Sequence, residues 1–191
     1  MDLFVEIDYM EGEKPDRAAL NLVVEQYANA PIDNPDGESG ITLHVVVDDE
    51  IPQSEPTNTT ALLEIGKDHF DNFAKGYYYG VFVTDARLKG NDTTGFASQT
   101  AMAMQSFPET AEEAHIFMHE LGHAAGLAAD TYEGIDSRKV PYSEYPSAMN
   151  YNSDFEVYHY ATGENTTFDD WAYLEANFVE PPTARLNESA G

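Results

Sequence analysis

The chain has 191 residues, enough for one domain with a sizeable core. Hydrophobic residues make up 42% and aromatics 12%, which excludes a disordered acidic tail. Asp and Glu number 35 against 9 Lys and Arg, and the net charge of −26 argues against nucleic acid and anionic membrane as partners.

Residues 3–8 (LFVEID) alternate apolar and polar side chains and read as a strand. Residues 16–27 carry Leu20, Val23, Val24 and Tyr27 at helical spacing, entered through Pro15 and ended near Ala30 and Pro31. Asn34-Pro35-Asp36-Gly37 reads as a turn. The β-branched run 41–47 (ITLHVVV) predicts an interior strand, 60–73 a helix, and 77–84 (YYYGVFVT) another strand. This succession predicts an α/β layer with parallel strands. Residues 95–98 and 101–105 follow as short strands at or near an edge. Beyond Gly126 regular pattern fades, until 169–178 (DDWAYLEANF) resumes a helix with Trp171, Leu174 and Phe178 on one face. The expected outline is one domain over 1–191, with a regular upper part to about 126 and an irregular lower part over about 127–191.

No cysteine is present, so disulfides, thiolate zinc sites and a cysteine-based latency switch within these residues are excluded. No apolar run reaches membrane-spanning length, and no signal peptide is read at the start of this chain. The acids are spread throughout, which reads as a solvated surface adapted to high salt. Calcium binding is not indicated, because no regular Asp/Asn/Gly loop with a closing Glu occurs. Asn58, Asn91, Asn165 and Asn187 each begin an N-x-S/T sequon.

Chemistry concentrates in residues 108–130, PETAEEAHIFMHELGHAAGLAAD. Thr110 and Glu113 have the spacing of a capping box, which predicts a helix from about Ala111, and Gly126 is a natural place for it to stop. His119 and His123 are four apart, about one turn on the same face, so both imidazoles can point a nitrogen at one ion. Glu120 can reach a metal-bound water without being a ligand, the H-E-x-x-H arrangement.

At these residues the sequence resembles the metzincin clan of zinc metallopeptidases. His119, Glu120, His123 and Gly126 match its signature position by position, and Met149 in SAMNY resembles its Met-turn. The resemblance implies a mixed twisted sheet with helices above the site helix, an irregular C-terminal subdomain with a Met-turn and a C-terminal helix, one catalytic Zn2+, a peptide or protein substrate, and a secreted location. It also implies a transition-state role for Tyr151 and a peptide lying extended along the edge strand near 95–98. The third ligand of the signature falls at position 129, which is Ala. Asp130 needs the smallest change from the clan's path and is preferred; Asp136 in EGID is the alternative. The rival readings are a zincin of another clan, using Glu144 or Asp136, and a metal-free binding or structural module. His115 reads as a supporting or packing residue, His44 as packed or paired, His69 as a surface group, and His159 as a candidate for positioning substrate.

Overall fold

The computed structural model describes residues 1–34, 37–88 and 93–184. Residues 35–36 of the predicted turn and the sequons at Asn91 and Asn187 lie outside them.

Strand β1 (Asp2–Met10) sends Val5, Ile7 and Tyr9 to one side of the sheet and Glu6, Asp8 and Met10 to the other, as the two-residue period requires. Helix α1 (Arg17–Ala28) is capped by Asp16, whose Oδ1 accepts from the Ala18 amide at 2.9 Å. Strand β2 (Thr42–Ile51) runs parallel to β1. Helix α2 (Thr59–His69) is capped by Asn58, which accepts from the Ala61 amide at 3.0 Å. Strand β3 (Tyr77–Val83) flanks β1 on its other side, also parallel. Strand β4 (Gly95–Ser98) pairs antiparallel with β5 (Ala101–Gln105), and β5 runs parallel to β3. The sheet order is β2-β1-β3-β5-β4. Helices α3 (Thr110–Ala125) and α4 (Asp170–Asn177) complete the described elements.

Residues of α1 and α3 pack with Val5, Ile7, Tyr78 and Phe82 on one face, and Leu62 of α2 packs with Tyr79, Val81 and Val83 on the other. The first cluster continues into the lower part through Met149, Tyr160, Trp171 and Leu174, so one core supports both halves.

Three expectations need correction. The 41–47 run does not form an interior strand: among the described residues β2 has a neighbour on one side only, and its acidic end, Asp48 to Glu50, lies exposed along that edge. The 60–73 helix stops at His69, because Phe70 turns to stack on Tyr79 with ring centroids 4.8 Å apart. Just beyond, the amides of Asp71 and Asn72 donate to the buried Glu6 carboxylate at 2.8 and 2.9 Å, which a continued helix would forbid. The capping box is also absent, as described below.

Few cations offset the acidic surface, so self-repulsion weakens the compact state in dilute buffer. At about 1 M salt the screening length falls to about 3 Å. The melting temperature is therefore expected to climb steeply from low salt to molar KCl. A melting temperature flat across that range would show the acids to be compensated already.

Candidate metal centre

The site helix begins one residue earlier than the sequence suggests, with Glu109 as a cap residue that makes no side-chain capping bond. Thr110 lies inside the helix and its hydroxyl donates to Asp16 at 2.7 Å. Glu113, 2% exposed, accepts from the amides of Asp16 at 2.5 Å and Phe107 at 3.3 Å. These groups tie the start of α3 to the start of α1 instead of closing on their own helix. At the other end Gly126 adopts φ 128°, and the Leu127 amide donates to the Gly122 carbonyl at 2.8 Å to close the helix. A Cβ there would also stand 3.1 Å from the Asn177 carbonyl oxygen, where the chain after α4 crosses.

His119 Nδ1 donates to the Ala148 carbonyl at 2.9 Å and His123 Nδ1 to the Leu127 carbonyl at 2.5 Å. A ring that donates from Nδ1 turns its Nε2 toward the metal position. The two Nε2 atoms stand 3.1 Å apart, and each lies 3.2 Å from Asp136 Oδ1. Three electron-rich atoms thus converge on one point, an arrangement that calls for a cation or a shared proton between them. Ligands of a tetrahedral zinc at 2.0–2.1 Å stand about 3.3 Å from one another, so this donor set fits zinc.

The structure brings Asp136, the alternative donor, to the histidines and leaves Asp130, the preferred one, exposed on the loop. The path between them is longer than a one-residue extension. A turn closes over 128–131, where the Thr131 amide donates to Ala128 at 2.9 Å. The chain then buries Ile135, and the Asp136 amide donates to the Met149 carbonyl at 3.0 Å. Asp136 adopts φ 51°, a conformation that Asp tolerates better than most residues. Glu144 is exposed and stands outside this group.

Glu120 is 2% exposed, and its Oε2 has no hydrogen-bond partner among the described residues. Burial, offset in part by His119, pushes its carboxyl from the usual 4.5 to about 8. In the metal-free protein it therefore keeps a proton that the unfolded chain releases. This contribution to stability is full below about pH 4.5 and is lost as pH rises through about 8, by up to about 1.4 kcal/mol per unit. Glu120→Gln removes the slope. Chelator-stripped wild type should lose stability relative to that variant between about pH 5 and 8 in denaturant titrations, and a constant difference would refute the assignment.

Three residues not singled out from the sequence shape the site. A Cβ on Gly95 of β4 would lie 2.5 Å from Glu120 Oε1, so only glycine leaves room for that carboxylate. A Cβ on Gly122, between the two histidines, would lie 2.8 Å from both Met149 Sδ and the Tyr160 hydroxyl. A glycine inside an otherwise regular helix costs about 1 kcal/mol, and that cost was the readable signal of close packing. Asp170, fully buried, accepts from the Tyr145 hydroxyl and Ser147 Oγ at 2.6 Å each and from the Ala161 amide at 2.9 Å. Ser147 Oγ in turn accepts from the Met149 amide at 3.1 Å, so Asp170 braces the turn whose Ala148 carbonyl holds His119. Burial pushes the Asp170 carboxyl up to about 6.

Tyr151 lies beside the histidines, its ring 6.0 Å from that of His119 and nearly parallel to it. Partial burial, then the carboxylates of Asp136 and Glu120, keep its phenol above its ordinary range. A cleft of about 400 Å³ over these groups is bordered by Gly95, Phe96 and Ala97 of the edge strand.

The remaining histidines lie outside the converging group. His115 donates from Nδ1 to the Val157 carbonyl at 2.6 Å, and burial pushes it down to about 4. His44 stacks on Phe4 and contacts Asp2 at 2.9 Å. His69 ends α2 and is half-buried, and His159 Nε2 lies 3.4 Å from the Tyr142 hydroxyl. Glu6, Asp8 and Asp48 also come together, but Glu6 and Asp8 already accept bonds from the Asp71, Asn72 and Asp49 amides and the Tyr79 hydroxyl.

No protein-family model and no curated protein matches this sequence. The fold does have a counterpart. It is similar to archaemetzincin from Methanopyrus kandleri, with a TM-score of 0.55 over 92% of this chain and 94% of that one, at 15% identity. The likeness establishes an α/β fold similar to that of archaemetzincin.

Proposed function

We propose that this protein is a zinc-dependent endopeptidase of the metzincin kind, with the metal held by His119, His123 and Asp136. The observation that carries the reading is the convergence of these three donors beside the unpartnered Glu120 Oε2. The fold likeness supports it independently. Asp136 is also the donor expected of a zincin from another clan, but Met149 packed beneath Gly122 and the reversal at Gly126 favour the metzincin arrangement with Met149 as its Met-turn. Retention of a buried carboxylate at Glu120 counts against a module without activity.

Bound zinc would supply acidification of a water and polarisation of the scissile carbonyl. The protein's own groups do the rest. The carbonyls of Ala148 and Leu127 fix the imidazole tautomers, so that both Nε2 atoms face the cleft as lone pairs. Glu120 takes the proton from the attacking water and delivers it to the leaving amine. Tyr151, kept protonated, donates a hydrogen bond to the developing oxyanion. The edge strand β4 offers main-chain groups along the cleft, where an extended peptide adds as a further strand.

The test is hydrolysis of an unstructured protein such as casein in molar salt. Cleavage should stop on chelation and return with zinc; cleavage indifferent to chelator, or none with zinc bound, contradicts the proposal.

A further inference from the structure

The cleft over the histidines opens into a second cavity of about 550 Å³, which shares His119, Glu120, Gly95 and Tyr151 with it. A substrate group entering this cavity therefore sits next to the bond being cut. Its further walls are Ile116, Phe155, the neutral His115 and Arg138. The rings of His115 and Phe155 lie 4.4 Å apart, and Phe107 supports Phe155 from 5.1 Å, so the apolar side of the cavity is built from packed rings.

Arg138 is the unusual member. The chain has 9 Lys and Arg among 35 acids, yet no carboxylate of the described residues lies within 4 Å of this guanidinium, and it makes no hydrogen bond to them. Five N–H donors of this exposed guanidinium thus have no partner among the described residues. A planar guanidinium pairs with a carboxylate through two parallel hydrogen bonds, a geometry that a point charge such as Lys cannot supply.

We propose that Arg138 makes this cavity a receptor for a substrate carboxylate adjacent to the scissile bond, a reading that rests on the peptidase assignment above. The carboxylate comes from an Asp or Glu side chain or from the substrate's own C-terminus. Both present the same planar anion to the guanidinium, and the packed rings accommodate the apolar stem behind it.

Four peptides separate the sources: one sequence with Glu or Gln at the variable position, each with a free or an amidated C-terminus. With zinc-loaded protein at fixed salt, kcat/KM should favour Glu over Gln in the amides by about tenfold if the side chain is read, or free acid over amide in the Gln pair by about tenfold if the terminus is read. Either result supports the proposal. Arg138→Ala should reduce the ratio to near one, and Arg138→Glu should reverse it, in favour of the Gln peptide or of the amidated C-terminus. Lys139→Ala, an exposed cation outside the cavity, should retain it. Ratios near one in the wild type, or a preference that survives Arg138→Ala, overturn the proposal. If no peptide is cleaved, the peptidase reading fails, and equilibrium binding of the same four peptides to the Glu120→Gln protein still decides this one. The same preference in affinity supports a carboxylate receptor, and equal affinities refute it.

Discussion

Glu120→Gln is expected to lower peptide hydrolysis by about 10²–10⁴-fold, the usual contribution of a general base, while zinc stays near one per chain. The amide has nearly the shape of the carboxylate, so it fits the space that Gly95 leaves beside it. It cannot take a proton from water. Because Glu120 stands outside the group formed by His119, His123 and Asp136, its neutralisation removes no donor from the metal. Parallel measurement of kcat and of bound zinc checks both halves. Zinc lost together with activity would place Glu120 among the ligands and overturn its role as a base.

The second large effect separates the two aspartates. Asp136→Ala removes one of three converging donors and leaves two imidazoles 3.1 Å apart with no anion between them. Residues one bond further from a metal already cost 10–100-fold in affinity when changed, so loss of this donor should weaken zinc binding by more than about 100-fold. Asp130→Ala, at an exposed loop position, should leave affinity within about twofold. A competitive chelator titration reads both. Zinc lost from the Asp130 variant and kept by the Asp136 variant would mean that the loop rearranges around the ion.

The helical pair His119 and His123 was legible because a four-residue spacing places two side chains on one face whatever the tertiary context. Strands β1, β3, β4 and β5 were legible from period and composition for the same local reason. The third member of the converging group was not. Its position depends on how the chain is led between Gly126 and Asp136, and that path is set by the Ala128–Thr131 turn, by burial of Ile135 and by the Met149 carbonyl, none of which has a local signature. Counting one residue past the clan's spacing chose Asp130, whereas packing chose Asp136. Glu113 shows the same limit: its spacing from Thr110 suggested a local cap, but its carboxylate binds the amides of Asp16 and Phe107 across helices. The edge position of β2 was hidden too, since a β-branched run reveals strand propensity and not how many neighbours the strand has. Asp170 stood unmarked among so many acids, and only its burial beneath Tyr145 and Ser147 distinguishes it from a solvated one.

Metal analysis of the purified 191-residue chain tests the central claim most directly. After equilibration with zinc in molar salt and removal of excess, elemental analysis should find close to one zinc per chain, and His119→Ala, His123→Ala and Asp136→Ala should each carry almost none. A wild-type chain that emerges without zinc, or three variants that retain it as the wild type does, would contradict the claim that these side chains form a metal centre.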